Sequence, residues 1–322
     1  MTSLYVDRKG LEARLDGGAV AFYEQGVRSG TVPLTSLSRV FFQGDVLLHG
    51  NLLAKLGAGG VGVIFLHGFR SEPTLFLPRM HNDASRRVAQ HVLSRRPVFR
   101  MRFARELLEI KLQREEALMR ELADKHGAPR RDLLAAAAQI GVDREALVSA
   151  ERLDELRGLE GHAAQVYFSG LAATLPASLA FTGRNRRPPR DPFNVVLSLG
   201  YALLYAETVL ALHEVGLDPY VGFLHDLDFG RASLACDVME IFRTEVDRFA
   251  FNAFRDRVLR PEDFSTGSGR CRMGKAARKR FYPAWEAKAE EIRRELRRSC
   301  TALCDGILES EAALSDGTKE AA

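Results

Sequence analysis

"VGVIFLHGFRSEPTLFLPRMHNDASRRVAQHVLSRR", residues 61–96, contains the change of texture that decides the fold. Its first half holds two short apolar runs, "VGVIFL" and "TLFL", broken by Gly and Pro in the manner of strands and turns. Its second half loses that punctuation and opens a helical pattern near 82–94. Backwards from this point the strand texture repeats in "SLYV", "AVAFY", "VPL" and "RVFF", with one short helix expected at "HGNLLAKLG", ended by Gly57. Forwards, 3.6-residue periodicity rich in Ala, Leu, Glu and Arg predicts helices near 98–124, 130–139, 143–178, 192–214, 233–256 and 274–308. The expected fold class is therefore α+β. A small N-terminal β domain of six or so strands spans 1–78, a basic linker and first helix 79–97, and a larger all-α domain 98–310, with a frayed tail over 311–322.

With 322 residues, 46% of them hydrophobic, the chain can bury two cores. A net charge of +4 names no partner. Four cysteines in a chain this long are not a disulfide framework, and a reducing cytoplasm is expected. The opening "MTSLYVDRKG" places charge where a secretory leader needs an apolar core. The run "VVLSLGYALLYAETVLAL", 195–212, approaches the length of a membrane span, but Glu207 and two tyrosines predict a buried helix of a soluble protein with no membrane contact. "GAGGVG", 57–62, has dinucleotide-binding spacing in the wrong context, since it follows a helix and opens a strand. A turn is the expectation there.

Three fragments carry possible chemistry. In "GFLHDLDFGRASLACDVMEIFR", 222–243, Ser233 is expected to cap a helix on which Asp237 and Glu240 share a face, extended by Thr244 and Asp247, while His225 comes from the preceding loop. Such acids are either a solvated face or metal ligands. In "LRGLEGHAAQVYF", 156–168, Gly158 and Gly161 flank Glu160 within a helix, at a cost of ~1 kcal/mol each relative to alanine. Either a helix crossing or a ligand requires that close approach. In "FTGRNRRPPRDPFN", 181–194, Arg184, Arg186, Arg187 and Arg190 stand in a proline-stiffened loop, and Asp191 is placed to cap a helix beginning at Pro192. Guanidinium forks suit phosphate oxygens, although a basic loop can also be merely solvated. Residues 79–105 add eight arginines against the single acid Asp83, a segregation of charge that favours a polyanionic partner. The cysteines, the remaining histidines and the basic stretch 270–298, interleaved with glutamates, read as core or solvated surface.

These three fragments, taken in chain order as 156–168, 181–194 and 222–243 and at these separations, resemble the CRISPR adaptation integrases, the Cas-one family. The resemblance covers the whole helical domain and is compatible with the β-rich start. It implies a catalytic role for Glu160, His225, Asp237 and Glu240, with Glu160, His225 and Glu240 as ligands of Mg2+ or Mn2+ and Asp237 orienting a ligand or the target phosphate. It places Arg184, Arg186, Arg187, Arg190 and Asn194 beside the active site on DNA. It further implies a homodimer formed through the β domain, a small partner subunit of the Cas-two family, and insertion of spacer DNA into a CRISPR array by 3′-hydroxyl transesterification. The alternatives are a non-catalytic scaffold for branched DNA and a divalent-metal repair nuclease.

Overall fold

The structure, a computed structural model, describes residues 2–66, 73–125, 129–186 and 188–319, with the backbone alone from 315. It divides into two compact units, 1–82 and 83–322.

The first unit contains β1 (Thr2–Val6), β2 (Leu11–Asp16), β3 (Ala19–Glu24), β4 (Val27–Pro33), β5 (Leu37–Phe42), β6 (Val46–Leu48), α1 (Gly50–Ala58), β7 (Gly62–Phe65) and β8 (Thr74–Phe76). One sheet has the order β1-β5-β7-β8, parallel except for the β7/β8 pair. The other, β4-β3-β2-β6, is built on two tight hairpins. At each hairpin two residues of positive φ, Gly17-Gly18 and Gln25-Gly26, join directly paired strand ends, the turn whose twist matches its strands. One apolar cluster draws Val20 and Phe22 from one sheet, Val40 and Phe42 from the other, and Leu52 and Leu56 from α1. The glycine run after α1 is a turn into β7, with Gly60 at positive φ.

The second unit contains α2 (Ser85–Ser94), α3 (Pro97–Lys125), α4 (Arg130–Ala146), α5 (Leu153–Thr174), α6 (Pro192–Glu214), α7 (Ser233–Glu240), α8 (Arg243–Arg255), β9 (Phe264–Gly267), β10 (Arg270–Met273) and α9 (Lys275–Lys319). The hairpin β9/β10 is its one departure from pure helix among the described residues. The core is organised on α6, which starts as expected: Asp191 accepts the backbone N–H of Asn194 at 2.8 Å and Pro192 stands in the first turn. The apolar window of α6 is 83% buried within the protein. The acid in its middle, Glu207, is matched internally, because Arg293 of α9 donates to it at 2.8 Å and forks onto Glu286 at 2.6 and 2.8 Å. Gly200 on α6 is a contact point with α8, where an added Cβ would lie 2.5 Å from Val246.

Two helices break at places the periodicity does not mark, and in both an arginine explains the break. The chain runs helically through Gly141 to Ala146 and then turns, because Arg105 of α3 donates to the carbonyls of Leu147 (3.0 Å) and Ala150 (2.7 Å). The helix expected over 233–256 is two helices, with Arg114 donating to the Ile241 carbonyl at 3.1 Å and lying over the Phe242 ring. The tail expected to fray from 311 instead continues α9 to Lys319.

Candidate active site

The loop before α7 is wrapped around one carboxylate. Asp237, wholly buried, accepts the backbone N–H groups of Phe223 (2.7 Å), Leu224 (3.1 Å) and His225 (2.9 Å). Gly222 makes this possible, since a Cβ there would sit 2.8 Å from Asp237 Oδ2 and from Ser233. Asp237 Oδ1 also lies 2.6 Å from His225 Nδ1, which orients the ring and leaves Nε2 as the nitrogen open to a ligand. The Asp237 carboxylate raises the imidazole pKa, with burial opposing. Ser233 is not the cap expected of it; Ala232 holds that position, and the Ser233 hydroxyl donates to the Asp226 carbonyl at 2.8 Å. The outer side of the loop is braced by Arg100 and Arg157, each 2.6 Å from the Asp226 carboxylate and each donating to a loop carbonyl, Phe223 and Leu224 respectively. Arg100, counted above with a polyanion-binding stretch, is thus spent inside the protein.

Glu160 of α5 and Glu240 at the end of α7 meet on a residue the sequence analysis did not single out. Lys111 Nζ lies 2.5 Å from Glu160 Oε1 and 2.7 Å from Glu240 Oε2. Arg243 donates to Glu240 Oε1 at 2.6 Å. Burial alone would raise the Glu240 pKa, but Arg243 and Lys111 hold it well below the usual carboxylate range. Glu115, one turn along α3 from Lys111, feels the same two cations, but burial, helped by the acids Glu240 and Asp247, outweighs them and pushes its carboxyl up to about 7. His225 lies within electrostatic reach of both Glu160 and Glu240. Gly158 and Gly161 do not serve a helix crossing, because a Cβ at either would meet nothing within 4 Å; the approach to Glu160 is open.

Among the described residues no three His, Cys, Asp or Glu side chains already stand close enough to hold a metal. The ammonium of Lys111 takes the central place instead. Two carboxylates drawn onto one buried cation, beside an imidazole oriented by a third carboxylate, are nevertheless the donor chemistry of a hard divalent ion with some nitrogen preference. Glu160, His225 and Glu240 fit such an ion.

Thr244 and Asp247 do not extend the Glu240 face, because the helix breaks before them. Asp247 points into the core, where the hydroxyls of Tyr167 (2.7 Å) and Tyr201 donate to it; burial pushes its carboxyl up to about 6 against those two bonds. The guanidinium groups of Arg243 and Arg184 lie 4.4 and 5.3 Å from the centre of the Tyr201 ring.

The same stacking ties the arginine loop to the helical core. Arg184 donates through Nη1 to the Asn185 carbonyl (2.6 Å) and Asn194 Oδ1 (2.7 Å), and through Nη2 to Ser198 (3.2 Å). Burial pushes its pKa down to about 10. Asn194 is fully buried and donates to the Gly183 carbonyl and Asp191. Both spend these hydrogen bonds on holding the loop's shape from within. Arg186 and Arg190 are exposed, and Arg187 lies outside the described residues. Lys111 and Glu115 carried a signal that could have been found. They occupy the buried face of α3 with Leu107, Leu108, Leu112, Leu118 and Met119, where a charge needs a partner.

These features define a class: a two-unit α+β protein whose helical unit gathers acids and a histidine at a buried cation, beside a basic loop. The sequence profile described as CRISPR associated protein Cas1 matches residues 4–287, and the chain belongs to that family. It is 35% identical to a CRISPR-associated endonuclease Cas1 of Thermodesulfovibrio yellowstonii over 98% of this chain and 100% of the relative. It is also 35% identical to one from Thermus thermophilus, over 80% of this chain and 75% of the relative. The fold is shared with a Cas1 protein from Thermotoga maritima (TM-score 0.84, 23% identity, 96% of this chain and 97% of that one). It is shared too with a casposase bound to its integration product (TM-score 0.81, 21% identity, 95% and 91%).

Proposed function

We propose that the chain is a divalent-metal-dependent DNA integrase and endonuclease of CRISPR adaptation, which joins a DNA 3′-hydroxyl to a phosphodiester at a repeat boundary. The observation that carries this is the convergence of Glu160 and Glu240, 80 positions apart, on one buried cation beside His225. The names of the relatives, endonucleases, and the integration product held by the casposase support the same chemistry. Glu160, Glu240 and His225 Nε2 would hold Mg2+ or Mn2+, which when bound supplies acidification of a hydroxyl and neutralisation of charge on phosphorus. The chain's own part is positional. Asp237 fixes His225 through three amides and the ring nitrogen, so the imidazole needs no reorganisation to present Nε2. Arg243 keeps Glu240 ionised and therefore competent as a ligand. Arg186 and Arg190 offer guanidinium groups to phosphates flanking the reacting bond.

In the transfer, the incoming 3′ oxygen forms a bond to phosphorus as the target's own 3′ oxygen leaves, and the proton passes from the attacking hydroxyl to the departing oxygen. Bond count is conserved, so no energy-carrying cofactor is needed. The proposed assembly is a homodimer through the β-rich unit, with a Cas2 subunit and DNA as partners; a Cas6-RT-Cas1–Cas2 complex and a TtCas1–DNA complex share the fold.

A donor duplex with 3′-hydroxyl ends, incubated with Mn2+, the Cas2 subunit and a supercoiled repeat plasmid, should become covalently joined to the plasmid. A dideoxy donor should not. Equal nicking with both donors and no joined product would make water the nucleophile and replace the integrase with a nuclease.

A further inference from the structure

Lys111 is out of place for a lysine. Its side chain is 6% exposed on the apolar face of α3, and lysines are seldom this buried without a partner. Glu160 and Glu240 form its direct ion pairs, with Glu115 already within electrostatic reach, and its ammonium occupies the point between the first two where a divalent ion would bind. An ammonium and a metal ion cannot share that point, because like charges a few ångströms apart in a buried site repel strongly. The displaced ammonium therefore needs another acceptor. One turn along the same helix face, Glu115 is buried and its Oε2 has no hydrogen-bond partner. A buried carboxylate oxygen without a partner is costly unless some state of the protein uses it.

We propose that Lys111 is a resident counter-cation that occupies the divalent-ion position between Glu160 and Glu240 and moves to the free Oε2 of Glu115 when metal binds. In the metal-free enzyme it keeps the two acids from repelling each other and holds α3, α5 and α7 together. On metal uptake it leaves one +2 charge in place of its +1 and neutralises Glu115 instead. Lys111 is thus a positioning residue, acting through the acids and setting how tightly the site takes its ion. The proposal rests on Glu160 and Glu240 being metal ligands, and its test separates the two claims.

Mn2+ binding to the full-length, chelator-stripped protein is measured by electron paramagnetic resonance of the free ion, together with thermal melting in EDTA and in Mn2+. Lys111→Met should bind Mn2+ about tenfold more tightly than the wild type, since the competing cation is gone. It should also melt lower than the wild type in EDTA and gain more from Mn2+. Glu115→Met, which removes the alternative acceptor and its charge, should bind Mn2+ several-fold more weakly. If Lys111→Met fails to fold in EDTA, Mn2+ must restore a cooperative melt, because the metal replaces the missing charge. Unchanged or weaker Mn2+ binding by Lys111→Met, or no rescue of its folding, overturns the proposal. If instead Glu240→Gln binds Mn2+ as well as the wild type, the metal-ligand assignment fails and not the role of Lys111 alone.

Discussion

The corner built on Asp237 and the loop built on Asp191 are both charged, both hold residues that the family resemblance marks as functional, and they use their charges in opposite ways. In the corner, Glu160, His225, Asp237 and Glu240 are gathered and oriented by Lys111, Arg243 and three backbone amides, and the two cations keep Glu240 ionised. In the loop, the charged set divides. Arg184 and Asn194 turn inward and spend their hydrogen bonds on the loop itself, while Arg186 and Arg190 remain exposed. Arginines that look equivalent in a list of basic residues thus divide into braces and candidate contacts according to which carbonyls lie within reach. Arg100, Arg105 and Arg114 are braces of the same kind.

The comparison can be broken most forcefully at Glu240. Glu240→Gln should lower integration by roughly 10²-fold or more, as expected for loss of a metal ligand worth several kcal/mol. Because it also strips an ionic partner from Lys111 and Arg243, it should cost on the order of 3 kcal/mol in denaturant unfolding. Near-wild-type stability would mean that the corner's charges are not balanced as described. Arg293→Met offers a buried ion pair remote from any proposed chemistry. It leaves Glu207 and Glu286 unmatched, so stability should again fall by about 3 kcal/mol while DNA affinity in filter binding stays at the wild-type value.

Asp247 sharpens the contrast through pH. Its native carboxyl holds a proton up to about 6, whereas in the unfolded chain it releases it near 3.8. Between those values the native state binds more protons, so this group lowers stability as pH rises. Wild-type stability relative to Asp247→Asn should therefore decline from pH 4 to pH 6, by about 1 kcal/mol per unit, and level off above. A difference that grows with pH would contradict the sign. The smallest effect expected is in the loop. Arg186→Ala and Arg190→Ala should each flatten the log–log salt dependence of DNA binding by roughly one unit. Arg184→Ala should leave that slope unchanged and lower the melting temperature instead.

Much of this was legible in the sequence where local chemistry dominates. The strand-to-helix change near residue 80, the Asp191-Pro192 helix start and the three separated motifs depend on periodicity, capping and spacing, all of which are local. What escaped depends on contacts across the fold. The breaks at Leu147 and Ile241 are imposed by Arg105 and Arg114 from α3, some 40 and 127 positions away. Lys111 becomes a partner of Glu160 and Glu240 only when α3, α5 and α7 pack together. The inward turn of Arg184 depends likewise on Ser198 and Tyr201 of α6. The hairpin at 264–273 is short and marked by few apolar residues, so its pattern is too weak to stand out beside long helices.

Glu160, His225 and Glu240 are proposed to make one divalent-cation site. An anomalous difference map from crystals soaked in Mn2+, collected at the manganese edge, tests it most directly. One peak is expected within roughly 2.0 to 2.4 Å of a Glu160 oxygen, a Glu240 oxygen and His225 Nε2. A strong Mn2+ peak held by other residues, with these three side chains unliganded, would contradict it.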